Sequence, residues 1–106
     1  MSSIRDRQEG FEKKFAMDEE SKFKAVARRN KLLGLWAAEK LGKTGQDADD
    51  YSKDVVRSDF EEAGDEDVFR KVRRDFDAAG ISLPDSEIRN MMEKLLITAV
   101  DQIRNT

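Results

Sequence analysis

The stretch FKAVARRNKLLGLWAAEKLG, residues 23–42, sets Val26, Ala27, Leu33, Ala37 and Leu41 at three- and four-residue intervals. Those intervals place the five side chains on one face of an α-helix, so the face must be covered by something else in the fold. Gly42 marks where the helix stops, because glycine accepts the left-handed backbone that closes helices. Downstream the pattern repeats. GKTG, residues 42–45, reads as a turn, and Asp47 is placed to cap a second helix with Ala48, Tyr51, Val55 and Phe60 on one side and Gly64 at its end. Asp65 can start a third helix through Val68, Phe69, Val72, Phe76 and Ala79, with Gly80 closing it. Ser82-Leu83-Pro84-Asp85 supplies a cap, a proline in the first turn and an acid at the positive end of the helix dipole. The fourth helix so opened buries Ile88, Met92, Leu95, Ala99 and Ile103.

Connections of a few residues force neighbouring helices to run antiparallel or to cross steeply, so the expected fold is all-α, a four-helix bundle. A chain of 106 residues is one domain's worth of material, divided into an N-terminal arm over residues 1–19 and the bundle over residues 20–106. Nothing in the composition contests long helices, since the sole proline is Pro84 and the glycines fall mostly at segment boundaries. The arm is of another kind. Ile4, Gln8, Phe11 and Phe15 align at helical spacing, yet Gly10 and dense charge weaken the helix in isolation. Both a frayed arm and a rod continuous with the first helix fit, and either leaves Phe11 and Phe15 available to a partner.

Composition narrows function by exclusion. The chain has no cysteine and no histidine, which removes disulfides, thiolate nucleophiles, most metal-ligand sets and the commonest general base near neutral pH. Carboxylates, lysines and a single tyrosine remain, without a nucleophile–base constellation, so the expectation is a protein that is not an enzyme and holds no cofactor or metal. No stretch approaches the ~20 apolar residues of a membrane span, and the N-terminus lacks the apolar core of a secretion signal. The expected setting is cytoplasmic, without membrane insertion. Charge is distributed unevenly: residues 1–31 hold nine Lys/Arg against six Asp/Glu, whereas residues 42–80 hold seven against twelve. A mildly basic front and an acidic middle argue against nucleic acid, which calls for a dominant basic face, and suit a protein partner.

Several local patterns have a plain reading beside a functional one. Gly42-Lys43-Thr44 imitates the end of a phosphate-binding loop, but the first glycine of that motif would fall at Ala37, and a helix stands where a strand is needed. An interhelical turn is the simpler account; weak nucleotide binding stays open beside it, as an addition to an adaptor role, but has no support from the motif. The acids Asp59, Glu61, Glu62, Asp65, Glu66 and Asp67 lack the alternating ligands and central glycine of a calcium loop and sit where they favour the start of a helix. Lys22, Lys24, Arg28, Arg29 and Lys31 read first as a solvated face; the alternatives are pairing within the chain, since the acidic second and third helices offer partners, and contact with phosphate or an acidic protein surface. Trp36, Tyr51, Phe60, Phe69 and Phe76 belong to the helical stripes and read as core.

The segment FEKKFAMDEESKFKAVARRNKLLGLWAAEKLGKTG, Phe11 to Gly45, resembles the zeta-subunit inhibitors of alphaproteobacterial F-type ATP synthases. The resemblance continues through Tyr51, Asp54-Val55-Val56, the run DFEEAGDEDVFRKVRRD from Asp59 to Asp75, and a terminal helix of matching length. It implies a four-helix protein whose N-terminal segment inserts into the catalytic head, between alpha and beta subunits and near gamma, and so stops ATP hydrolysis. Carried to this chain, it implies Ile4, Phe11 and Phe15 as anchors with Gln8 on the same side, and Arg5, Arg7, Lys13 and Lys14 as charged contacts. The protein would then sit peripheral to the inner membrane through the synthase. A generic helical adaptor for another partner remains the competing expectation from periodicity alone.

Overall fold

Helix α1, Glu19–Lys40, begins where Asp18 adopts an extended backbone (φ −75°, ψ 171°) and its carboxylate accepts from the Ser21 N–H at 2.8 Å. That bond satisfies one of the orphan donors of the first turn, and Glu19 and Glu20 complement the helix dipole beside it. A computed structural model describes residues 18–59 and 65–104. Ile4, Arg5, Arg7, Gln8, Phe11, Lys13, Lys14 and Phe15, together with Phe60 and Gly64, lie outside the described residues. Because Asp18 is extended, α1 does not continue as a helix through it, which sets aside the continuous rod at that residue.

Three further helices follow: α2 at Gly45–Ser58, α3 at Glu66–Ala78 and α4 at Asp85–Arg104. The described residues thus form the all-α, four-helix architecture expected from the periodicity. Gly42 closes α1 with φ +77°, while its N–H bonds the Glu39 carbonyl and the Lys43 N–H reaches back to Ala38 at 2.9 Å. Gly80 repeats the arrangement after α3 with φ +74°, the Ile81 N–H bonding the Phe76 carbonyl at 2.9 Å. Both are Schellman closures, in which a left-handed residue lets two late carbonyls find donors.

Two expected caps fall elsewhere. Asp47 does not cap α2; the Asp47 and Ala48 N–H groups both bond the Thr44 carbonyl, so the helix is already formed at Asp47 and its carboxylate only favours the first turn. Ser82 does not open α4. The Glu87 and Ile88 N–H groups bond the Pro84 carbonyl, so the first turn starts two residues later. Proline disfavours helical backbone at the residue before it, which keeps Leu83 out of α4.

The core gathers Leu33, Ala37 and Ala38 of α1, Tyr51 and Val55 of α2, Val68, Phe69, Val72 and Phe76 of α3, and Ile88 and Met92 of α4. A satellite cluster of Ala25 and Val100, flanked by Val26, Leu96 and Ile103, seals the far end of the α1–α4 contact. Ala79, expected on the buried face of α3, is exposed, because it is the residue at which α3 ends. Helix α1 packs chiefly against α2 and α4, whereas α3 is held mostly by α2 and α4. Its direct link to α1 includes the edge of Trp36 against Phe76, with ring centroids 5.7 Å apart at 63°.

At the α1–α2 crossing, a Cβ on Gly34 would stand 2.6 Å from the Ser52 Cα and 3.2 Å from the Val55 Cβ. The obstacle is backbone, so relief requires α2 to move. Gly34→Ala should therefore destabilise the protein by about 1–2 kcal/mol, overpacking outweighing the ~1 kcal/mol that alanine gains in helix propensity. Urea unfolding followed by far-ultraviolet circular dichroism measures it; a stabilised variant would show that the crossing is looser than described.

Tyr51 and Asp75 tie α2 to α3: the Tyr51 hydroxyl donates to Asp75 at 2.8 Å, and Lys71 pairs with the same carboxylate at 2.9 Å while lying over the tyrosine ring. Burial, then the bond to Asp75, holds the Tyr51 hydroxyl well above the ordinary phenol range. Below about pH 10 the group is protonated in both folded and unfolded chains; above it only the unfolded chain ionises, so stability falls as pH rises. With a single tyrosine in the sequence, alkaline difference absorbance should stay flat until the helices melt. Tyr51→Phe should lose part of the alkaline sensitivity; tyrosinate absorbance appearing in the native protein near pH 10 would contradict this account.

Candidate functional site

The base of the N-terminal segment is fixed by Asp18, whose carboxyl is held below its usual range by the Ser21 N–H. Beyond it the five basic residues of early α1 part company. Lys22 is buried and bonds Glu19 at 3.2 Å, one turn back. Lys24 is exposed and pairs with Glu20 at 3.3 Å; Arg28 donates to the Gln102 side chain of α4 at 3.1 Å. Arg29 is only 2% exposed, and its guanidinium donates to Asp65 at 2.8 Å. Lys31 is exposed. The set is therefore not one solvated face, since two of its members are structural.

Arg29 closes a polar junction that composition did not reveal. Its Nε donates to the neighbouring Asn30 Oδ1 at 2.7 Å, and its Nη2 reaches Asp65, the residue preceding α3. Asp65 stands at the expected cap position of α3, but its side chain makes no capping bond to the helix and serves Arg29 instead. Asn30 is 1% exposed, and its Nδ2 finds no acceptor among the described residues. The pairing joins α1 to the start of α3 across 36 residues of sequence. Only tertiary structure discloses such a partner; a basic residue within a basic run carries no local sign of it.

The remaining patterns resolve into packing. Gly42 makes the turn after α1, and the Lys43 ammonium lies 5.9 Å from the Tyr51 ring centre, as expected of an interhelical turn. In the acidic set, Glu66 pairs with Arg89 at 3.1 Å and Asp67 accepts from the Val68 N–H at 2.8 Å, while Glu61 and Glu62 lie outside the described residues. No cluster of three metal-ligating side chains occurs among the described residues. Tyr51, Phe69 and Phe76 are buried and Trp36 half-buried, as core residues should be. Arg89 adds a contact that sequence reasoning did not find, its guanidinium 3.9 Å from the Phe69 ring centre. Arg73 is another: it donates to the Ile81 and Leu83 carbonyls and to Asp77 and Asp85, and so fastens the α3–α4 turn.

Among the described residues two large apolar side chains stay in water, Phe23 at 65% and Ile97 at 54% exposure. Phe23 heads the α1 stripe in sequence but stands beyond the end of α2. With Ser52 against Gly34 and α2 running back along α1, Ser58 ends α2 more than a turn short of Phe23.

The described residues form an all-helical architecture, and no helix among them is long and apolar enough to cross a membrane. The ATPase inhibitor subunit zeta family model matches residues 1–102, and the chain belongs to that family. It is also similar to a protein whose structure was determined in solution by NMR, with 52% sequence identity and a TM-score of 0.70. That alignment covers 78% of this chain and 94% of the other. A search of curated proteins returns no match.

Removing Arg29 would take a buried donor from Asn30 and a guanidinium from Asp65. Asp65 is 36% exposed and can rehydrate, so Arg29→Ala should cost about 2–3 kcal/mol, less than a fully buried pair. Lys24→Ala, which breaks an exposed pair on the same helix, should change stability by under about 1 kcal/mol. Equal effects in thermal unfolding would show that Arg29 contributes no more than a surface charge.

Proposed function

We propose that this chain inhibits ATP hydrolysis by an F-type ATP synthase, its N-terminal residues 1–19 inserting into the catalytic head between alpha and beta subunits beside gamma. The observation that carries the reading is that the family match begins at residue 1, so it takes in the arm as well as the bundle. Ile4, Phe11 and Phe15 recur at helical spacing with Gln8 and would fill an apolar groove, while Arg5, Arg7, Lys13 and Lys14 would meet acidic groups at its rim.

The chain itself makes and breaks no bond in this reading. A segment that binds one conformation of a catalytic interface lowers the free energy of that state alone and raises the barrier to leaving it, so the rotary cycle stalls. A segment ordered on binding gives up about 2–5 kcal/mol, which further contacts from the bundle would offset. The Asp18 cap suits this division of labour, because it starts the bundle's first helix at a defined residue, at the C-terminal end of the inserting segment.

ATP hydrolysis by the isolated catalytic head, titrated with the full chain and with a version lacking residues 1–17, tests the mechanism. The truncation keeps Asp18 and therefore the α1 cap. Inhibition by the full chain and its loss on truncation is the expected result. A truncated chain that inhibits equally well would remove the arm from the mechanism, and a full chain inert at micromolar excess would remove inhibition of this enzyme.

A further inference from the structure

The groove between α1 and α2 has no occupant among the described residues. It encloses about 490 Å³ and is lined by Lys31, Asp49, Ser52, Lys53, Val56 and Arg57. Three cations face one carboxylate there, in a protein whose net charge is −3. Lys31 and Lys53 form no ion pair among the described residues, and Arg57 has only the exposed Asp54, at 3.1 Å. Lys53 and Arg57 stand one helical turn apart on α2, with Lys31 opposite them on α1. Outside the groove, about two turns from Lys31 along α1 and past the end of α2, Phe23 is the most exposed large apolar side chain among the described residues.

We propose that this groove is a second docking surface, in which an acidic amphipathic helix of the ATPase catalytic head lays carboxylates against Lys31, Lys53 and Arg57 and one apolar side chain against Val56, while a second, farther along that helix, meets Phe23. The inference rests on the inhibitory reading above and names a further contact for it. The charge of the groove selects the occupant. Two cations at i and i+4 with a third across from them match acids repeated at the same interval on a partner helix, an arrangement that fixes register and speeds encounter. An exposed aromatic beyond the cationic groove gives the apolar anchor that charge alone lacks. A second weak contact on the same rigid body raises the local concentration of the N-terminal segment and so increases potency without altering the inhibited state.

The test uses the full chain and the ATPase head. Lys31→Glu with Lys53→Glu reverses two exposed charges, and circular dichroism with thermal unfolding verifies that the bundle is intact. The milder pair Lys31→Gln with Lys53→Gln serves if the reversal disturbs folding. The double reversal should raise the half-inhibitory concentration about tenfold, leave maximal inhibition at saturation unchanged, and flatten the loss of potency with added salt. Phe23→Ser should weaken potency several-fold with little change in salt dependence. If the wild-type chain inhibits and the folded double variant matches it in potency and salt response, the groove is not a docking surface. If the wild-type chain does not inhibit at all, the inhibitory reading itself falls, which is a different result.

Discussion

The structure depends on the absence of a side chain at Gly34. Helix α1 is the spine, and α2 can settle on it only because the Ser52 backbone occupies the place a Cβ would take. That approach carries Tyr51 and Val55 into the core, and the Tyr51 hydroxyl in turn reaches Asp75 of α3. Since α3 makes little direct contact with α1, its position is inherited through α2 and α4, with the Arg29–Asp65 pair as a further tie. Helix α4 takes the other side of α1, where Leu33 and Ala37 meet Ile88 and Met92 in one core. A single position without a Cβ thus propagates into the placement of two helices.

The helices were legible because a buried face leaves a period in the sequence, and the stripes of Leu33 and Ala37, Val55, Val72 and Phe76, and Ile88 and Met92 all point inward. The helix ends were less so, for local reasons. Asp47 resembles a cap more than Thr44 does, yet the first hydrogen-bonded turn forms on the Thr44 carbonyl. Ser82 resembles a cap until the restriction that Pro84 places on Leu83 is taken into account. Pairing of the basic run with the acidic second and third helices could be expected from charge, but not that Arg29 is the member that meets Asp65, which has to be brought back from a distant part of the chain. The arm residues Ile4 to Phe15 were singled out by spacing and by family resemblance, and they lie outside the described residues. The bundle was thus predictable from period, whereas the reading of the arm rests on the order of residues shared with a family.

Helix α1 divides its cations between two tasks. Lys22 and Arg29 are buried, and Arg29 ties α1 to the start of α3, whereas Lys31 turns out beside Lys53 and Arg57. The same run of basic residues therefore supplies both cohesion and a charged surface, because a helix sends neighbouring side chains in different directions. Sequence composition merges those tasks, and geometry separates them.

The sole tryptophan has an optical consequence. Trp36 is half-buried on α1 and meets Phe76 of α3 edge-on, at a junction made by few other direct contacts between those helices. Its emission therefore responds to whether α3 is seated rather than to how much helix the chain contains. Loss of tertiary seating with the helices still formed would shift the fluorescence while leaving circular dichroism nearly unchanged, so the chain carries its own reporter for a partly loosened state.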